Sequence, residues 1–423
     1  MPSEKTPFFV YRDQLLPASE GFIPRHYCGF TTLEPIFIGT KRRGDGIAQL
    51  PTPPIILGGD GLGGRLARVG FKQFGRKPPG FAQLSALHPA LVHAQFGRGG
   101  ALALPLARRL GIPLVITFHG GDATKAKHYQ KIPNLPWGVK GIYLRRLPQM
   151  IEQAKIIHCV SEFIRQTLIG RGFPPEKLVT LHLGIVVADL DNQVSSWVPP
   201  PAYDYSPPRL GLAEGGQPIK NSAGYPTNLL DGNWAPPHPK PYIFAAGRMV
   251  EKKGFSTLLD ALALLPPGID VVIAGDGELK SELHKQAQLL DLNDRVRWLG
   301  WQTPEQIRHW INFAACVAIP SVTSKNGDAE GLPSFLLEAM SQARPVIGTR
   351  HAGIPEAIRH GVNGLLVNER DAKGLAAAIT QLQVNPQYAD ELGRAARMTV
   401  AHEFNATTQS KKFEDLLLSC IND

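Results

Sequence analysis

Cysteine is scarce. The 423 residues hold four, Cys28, Cys159, Cys316 and Cys420, with no Cys-x-x-Cys spacing, which leaves no disulfide framework or thiolate metal cluster to expect. Thirteen histidines include no His-Glu-x-x-His, and no Gly-x-x-x-x-Gly-Lys-Ser/Thr loop occurs, so metallohydrolase and P-loop chemistry find no support. No apolar run approaches the roughly 18 residues that span a bilayer, and Met1 to Pro7 is polar. Neither a membrane span nor a signal peptide is expected, and the expected location is the cytoplasm. Acidic residues are missing from one long stretch, between Asp60 and Asp122. That gap disarms the dinucleotide-type fingerprint Gly59-x-Gly61-x-x-Gly64, which needs an acid about 20 residues on to hold a ribose hydroxyl. Asp189-Leu190-Asp191, formally a metal–nucleotide pair, stands at the entrance to a proline-rich break and reads as solvated carboxylates.

What is present is ordinary globular material, 43% hydrophobic and 19% charged, in a chain long enough for two domains. The net charge of +9 is uneven. Residues 41–150 hold 17 Lys and Arg against three acids, whereas the rest of the chain carries 28 against 33. A field of that sign suits an anionic membrane, a phosphorylated substrate or nucleic acid. Apolar runs Phe8 to Arg12, Pro35 to Gly39, Leu91 to Ala94, Leu114 to Phe118, Ile156 to Val160 and Val179 to Leu183 alternate with helical patterns such as Gly100 to Leu110 and Glu162 to Gly170. This predicts a parallel sheet wrapped by helices over residues 1–190. Residues 191–240, with ten of the 37 prolines, read as a linker or insert. Alternation resumes at Tyr242 and predicts a second doubly wound domain over 241–400. The pattern from Tyr388 to Leu418 is helical, with a closing helix placed at 401–423. Ligands of open α/β sheets bind beyond the carboxyl ends of the strands, so function is sought in those loops.

Three loops stand out. Gly247-Arg248 and Lys253-Gly254 flank a strand-to-helix turn, where a planar guanidinium and a mobile ammonium fit a pyrophosphate clamp. Glu330-Gly331-Leu332-Pro333-Ser334 precedes a helix carrying Glu338. Gly331 and Pro333 open the backbone there to a ligand, and the two carboxylates could each accept vicinal hydroxyls of a sugar or ribose. His119, after the strand Leu114 to Phe118 and before Gly120-Gly121-Asp122, sits at the first domain's carboxyl edge. Each has a bland alternative as a surface cation, a first-turn acid or a structural histidine.

Together, Glu330 to Ser334, Leu337-Glu338-Ala339-Met340, Arg344-Pro345-Val346-Ile347 and Gly353-Ile354-Pro355-Glu356 closely resemble the carboxy-terminal signature of retaining glycosyltransferases of family 4, including its two glutamates eight apart. Gly247-Arg248, Lys253-Gly254, Ala274 to Leu279, Thr117 to Gly120 and His182-Leu183-Gly184-Ile185 are similar to it too. Leu16 to Ile23, His93-Ala94-Gln95-Phe96 and Pro320 to Glu330 most resemble bacterial exopolysaccharide enzymes of the colanic-acid type. The resemblance implies a GT-B fold, two Rossmann-like α/β domains facing across a cleft, and retaining transfer from a nucleotide-diphosphate sugar without a metal or other cofactor. It places Arg248 and Lys253 on the leaving diphosphate, Glu330 on donor-sugar hydroxyls, Glu338 on the ribose and His119 near the transferred sugar. Backbone at Gly247, Gly277, Gly331, Leu332 and Pro333 would line the donor, and the loop after Leu299 the base. Val186, Glu20-Gly21 and the long 192–240 segment depart from the family pattern. The implied acceptor is a glycan or lipid-linked glycan, with no nucleic-acid partner. The basic amphipathic segment at 62–81 would offer contact with an anionic membrane, on the inner face. Within the same architecture a sugar phosphorylase or nucleotide-sugar epimerase stays open, as does a non-catalytic basic module.

Overall fold

Parallel strands covered on both faces are continuous apolar runs. Phe8-Phe9-Val10-Tyr11 and Tyr242-Ile243-Phe244-Ala245 are two such runs, completely shut from solvent, and each lies inside a sheet. The computed structural model describes residues 5–17, 20–43, 50, 52–58, 61–78, 80–125, 139–187, 238 and 240–422. The first sheet runs Ile55–Ile56, Leu33–Gly39, Thr6–Tyr11, Val92–Gln95, Leu114–Phe118, Ala154–Cys159, Leu178–Thr180. The second runs Val296–Gly300, Asp270–Ala274, Tyr242–Ala246, Cys316–Ile319, Val346–Thr349, Leu365–Val367. Neighbouring strands are parallel throughout both sheets. The expected pair of doubly wound α/β domains is therefore present. All but His238 and Lys240 of the expected 191–240 linker, together with Gly59 and the Asp189–Asp191 pair, lies outside the described residues.

In each sheet the first strand in sequence lies between the second and the fourth, so the winding reverses there. A crevice opens at such a switch point. In one sheet it lies beyond Tyr11 and Gln95, in the other beyond Ala246 and Ile319.

The helical pattern from Tyr388 onward is two helices, Pro386–Glu403 and Ala406–Asn422, so the closing helix starts at Ala406 and not at 401. The break is made by Ile185, whose N–H donates to the Phe404 carbonyl and whose carbonyl accepts from Ala406 N–H. The connector leaving the first sheet and the chain returning to it meet at this bridge. The last helix then lays Phe413, Leu417 and Cys420 into the first domain's core beside Phe8 and Val10. Its buried Glu414 accepts the N–H groups of Thr31, Thr32 and Leu33 at 2.7–2.9 Å.

Within the basic segment, Leu62–Phe74 is a helix that ends on left-handed Gly75 and is docked through Gly70 and Phe71. Leu62, Leu66, Val69 and Phe74 remain exposed. Lys72 is not a free surface cation, because its Nζ lies 2.6 Å from Asp13.

Candidate active site

The second domain's half of the site begins where the strand Tyr242–Ala246 ends. Gly247 turns with φ +149 and donates to the Ala274 carbonyl, while buried Met249 donates to the Asp276 carbonyl, tying this loop to the neighbouring turn. Gly277 permits that approach, since a Cβ there would sit 2.6 Å from the Met249 carbonyl oxygen. Gly254 closes the loop with φ +66, and its missing Cβ would meet the Pro320 oxygen at 1.7 Å. Only glycine fits such a backbone. Arg248 projects exposed from the loop, and Lys253 folds back over Gly247.

Lys253 Nζ lies 2.9 Å from Glu330 Oε1, and Lys252 Nζ lies 3.6 Å from Oε2. Burial alone would raise the Glu330 carboxyl, but the two ammonium groups outweigh it and hold the group down to about 2. Lys252 also reaches Asp328 at 3.4 Å, and Lys125 of the first domain reaches the same carboxylate at 2.7 Å. The Glu330 backbone is fixed separately: its N–H donates to His351 Nε2, and the opposite ring nitrogen lies 2.7 Å from Glu369. None of Lys252, Asp328, His351 or Glu369 stands out in the sequence.

After Glu330 the two domains touch through bare backbone. A Cβ on Gly331 would lie 2.3 Å from the His119 carbonyl, and one on Gly120 would lie 2.9 Å from Gly331 N. Pro333 then caps the helix Ser334–Ser341, which buries Leu336, Leu337, Ala339 and Met340. Leu332 packs against the same core. Glu338 points the other way and pairs across the cleft with Arg25 at 3.4 Å. Its carboxyl is raised by burial, against the lowering pull of Arg25. Leu299 is buried, and its carbonyl accepts from Gln302 Nε2 at 3.0 Å, which shapes the turn leading to exposed Trp301.

On the first domain, Asp122 accepts the backbone N–H groups of His119, Gly120 and Gly97, so the turn after Leu114–Phe118 is set by one half-buried carboxylate. The half-buried His119 ring lies against Phe22 and Phe96, with centroids 5.1 and 4.6 Å away, and its Nε2 is 2.7 Å from Gln95 Oε1. Burial, then His158, His26 and Arg12, keep its pKa well below the usual value, so the ring is neutral.

The structure thus joins Lys253 to Glu330, Gly247 to Lys253, and His119 to Gly331. Glu338 is engaged by Arg25, and Arg248 stands exposed beside the cluster. Among the described residues no three His, Cys, Asp or Glu side chains are grouped so as to hold a metal, and no helix is long and apolar enough to cross a membrane.

Comparison with known proteins agrees with this geometry. Residues 64–189 match the family described as Glycosyltransferase Family 4, and residues 229–399 match Glycosyl transferases group 1. The amylovoran biosynthesis glycosyltransferase AmsK of Erwinia amylovora is 27% identical over 77% of this chain and 69% of its own length. The putative colanic acid biosynthesis glycosyltransferase WcaL of Escherichia coli K12 is 28% identical over the same shares. In fold, the chain is similar to Anabaena HepE in complex with UDP and glucose, with a TM-score of 0.70 at 18% identity over 98% of this chain and all of that one. The chain belongs to the GT-B glycosyltransferases that join a family 4 amino-terminal half to a group 1 carboxy-terminal half.

Proposed function

We propose that the enzyme moves a glycosyl unit from a nucleoside-diphosphate sugar to a hydroxyl of a growing cell-surface polysaccharide, with retention and without a metal. The observation that carries this reading is the contact of Lys253 with ionised Glu330 at the second sheet's switch point, opposite His119. Departure of a diphosphate places new negative charge beside the bond that breaks, and cations already in position lower that barrier. Exposed Arg248 supplies a guanidinium fork, and Lys253 an ammonium held in register by Glu330. Glu330 would in turn accept donor-sugar hydroxyls, and Glu338, once freed from Arg25, the ribose hydroxyls. Gly331, Leu332 and Pro333 would present backbone to sugar and phosphate, Gly247 and Gly277 would let the donor approach, and the turn after Leu299 would receive the base.

The UDP and glucose of the HepE complex, and the exopolysaccharide roles in the names of AmsK and WcaL, support a nucleotide-sugar donor and a polysaccharide product. A lipid-linked acceptor at the cytoplasmic membrane face is consistent with the helix Leu62–Phe74, which exposes Leu62, Leu66, Val69 and Phe74 beside Arg65. At about 1 kcal/mol per near-surface basic residue such contact is reversible. Incubation with labelled nucleotide sugars and polysaccharide primers in EDTA tests the reading. It predicts an α-linked product from an α-linked donor with the chelator present. Release of sugar 1-phosphate only with added phosphate, or epimerised nucleotide sugar, would replace it with the phosphorylase or epimerase.

A further inference from the structure

We infer that a buried chain of side chains, Gln95, Tyr27, His93, Thr117 and His158, positions His119 by fixing its tautomer, leaving Nδ1 as an acceptor for a hydroxyl of the bound donor sugar. The chain can be followed proton by proton. His158 Nε2 lies 2.7 Å from the Leu181 carbonyl, which can only accept, so that nitrogen carries the proton. A neutral imidazole has one N–H, so His158 Nδ1 must accept, and Thr117 Oγ1 donates to it at 2.9 Å. With its proton spent, Thr117 accepts from His93 Nε2 at 2.6 Å. His93 Nδ1 is then bare and accepts from the Tyr27 hydroxyl at 2.8 Å. Tyr27 in turn accepts from Gln95 Nε2 at 2.7 Å. This orients the Gln95 amide with its oxygen toward His119, whose Nε2 donates across 2.7 Å.

Six hydrogen bonds therefore run one way, from the cleft to a backbone carbonyl. The direction holds only while the rings are neutral. Burial meets that condition, lowering His93 well below its usual range and His158 to about 4. Phe413 of the last helix seals the relay, its ring 4.9 Å from His93 and 4.8 Å from His158. At the other end His119 Nδ1 is shut from solvent and has no hydrogen-bond partner among the described residues, beside the backbone seam with Gly331. A buried acceptor without a donor is costly, and a sugar hydroxyl supplies the missing proton.

The tautomer stands apart from the glycosyltransferase reading, and the hydroxyl contact rests on it, so the test has separable arms. Imidazole 15N spectra of the ligand-free enzyme should show His119 protonated at Nε2 alone. Protonation at Nδ1, or an averaged pair of signals, would overturn the relay. Tyr27→Phe should convert the single tautomer into a mixture and lower kcat/KM about tenfold, while UDP affinity stays as in wild type. Gln95→Leu should do the same, and unchanged His119 signals in both variants would also overturn the relay. Adding a nucleotide sugar should move the Nδ1 signal beyond the shift given by its nucleoside diphosphate. If the sugar nucleotide binds and Nδ1 does not respond, the hydroxyl contact is wrong. If no nucleotide sugar binds, the glycosyltransferase reading has failed and the ligand-free spectrum still decides the tautomer.

Discussion

Burial pushes the Glu330 carboxyl up, and the ammonium groups of Lys253 and Lys252 more than reverse that push. A folded-state value of about 2, below the ordinary value of 4.5, means that ionised Glu330 contributes stability above about pH 4.5 and loses it as the pH falls toward 2. The contribution is on the order of 3 kcal/mol at neutral pH. Glu330→Gln should therefore flatten the acid limb of the stability curve between pH 4.5 and 2, measured by thermal denaturation across that range. A second residue-scale expectation concerns Gly254, where both φ and the Pro320 oxygen reject a side chain. Gly254→Ala should cost about 3 kcal/mol or more and lower the second domain's unfolding midpoint by several degrees. Arg248, Lys253, Glu330 and His119 were legible from their places in loops after apolar strands. Lys252, Asp328, His351 and Glu369 were not. Lys252 is drawn inward by Asp328, 76 residues away, and a local reading has no access to such a pairing. The relay did leave a trace, polar His93, Gln95, Thr117 and His158 inside otherwise apolar strand runs. Its meaning needed the register that sets Gln95 beside Thr117 and Thr117 beside His158.

Among the elements, the strands were readable because parallel strands between helix layers are nearly pure apolar runs, as Leu114–Phe118 shows. Helix ends were read unevenly: the helix expected at Gly100 to Leu110 starts three residues earlier, at Gly97, whereas Glu162–Ile169 lies where the sequence places it. The start of that second helix is held from far along the chain, since Ser161 caps Ile164 N–H while Glu356 of the other domain accepts the N–H groups of Glu162 and Phe163 at 2.8 and 2.9 Å. The same carboxylate meets His182 Nε2 at 2.8 Å. Glu356→Ala should lower stability by about 1–2 kcal/mol, as a lost helix cap does, and should also speed proteolytic cleavage between the domains. A variant as resistant to protease as wild type would show that this contact does not hold the halves together. The sequence predicts the closing helix from 401 because the helical period continues through Phe404 and Asn405, whereas the helix starts at Ala406. The break there comes from Ile185, which no local pattern discloses. Phe413→Ala should cost about 3–4 kcal/mol, since it removes a fully buried ring and leaves a cavity over the buried histidines.

At the scale of the molecule, two sheets with the same winding place their switch points on one cleft, and Ile185, at the end of the first domain, is tied by hydrogen bonds to Phe404 and Ala406 of the returning chain. Basic residues concentrate in the first half, yet several are engaged within it: Lys72 by Asp13, Arg109 by the Gly75 carbonyl and Arg146 by the Ala101 carbonyl. These side chains keep their charge but are tethered within the domain, so fewer basic side chains are left to reach out to a membrane or an acceptor. On the second half, Arg248 and Lys253 are the cations assigned to the leaving diphosphate, and calorimetric titration of UDP in EDTA tests that assignment directly. Wild type should bind with the chelator present, and Arg248→Ala should bind at least tenfold more weakly, the loss of one charge-assisted hydrogen bond of about 1.5–3 kcal/mol. Equal affinity in the two proteins, or binding that requires an added divalent cation, would contradict the assignment.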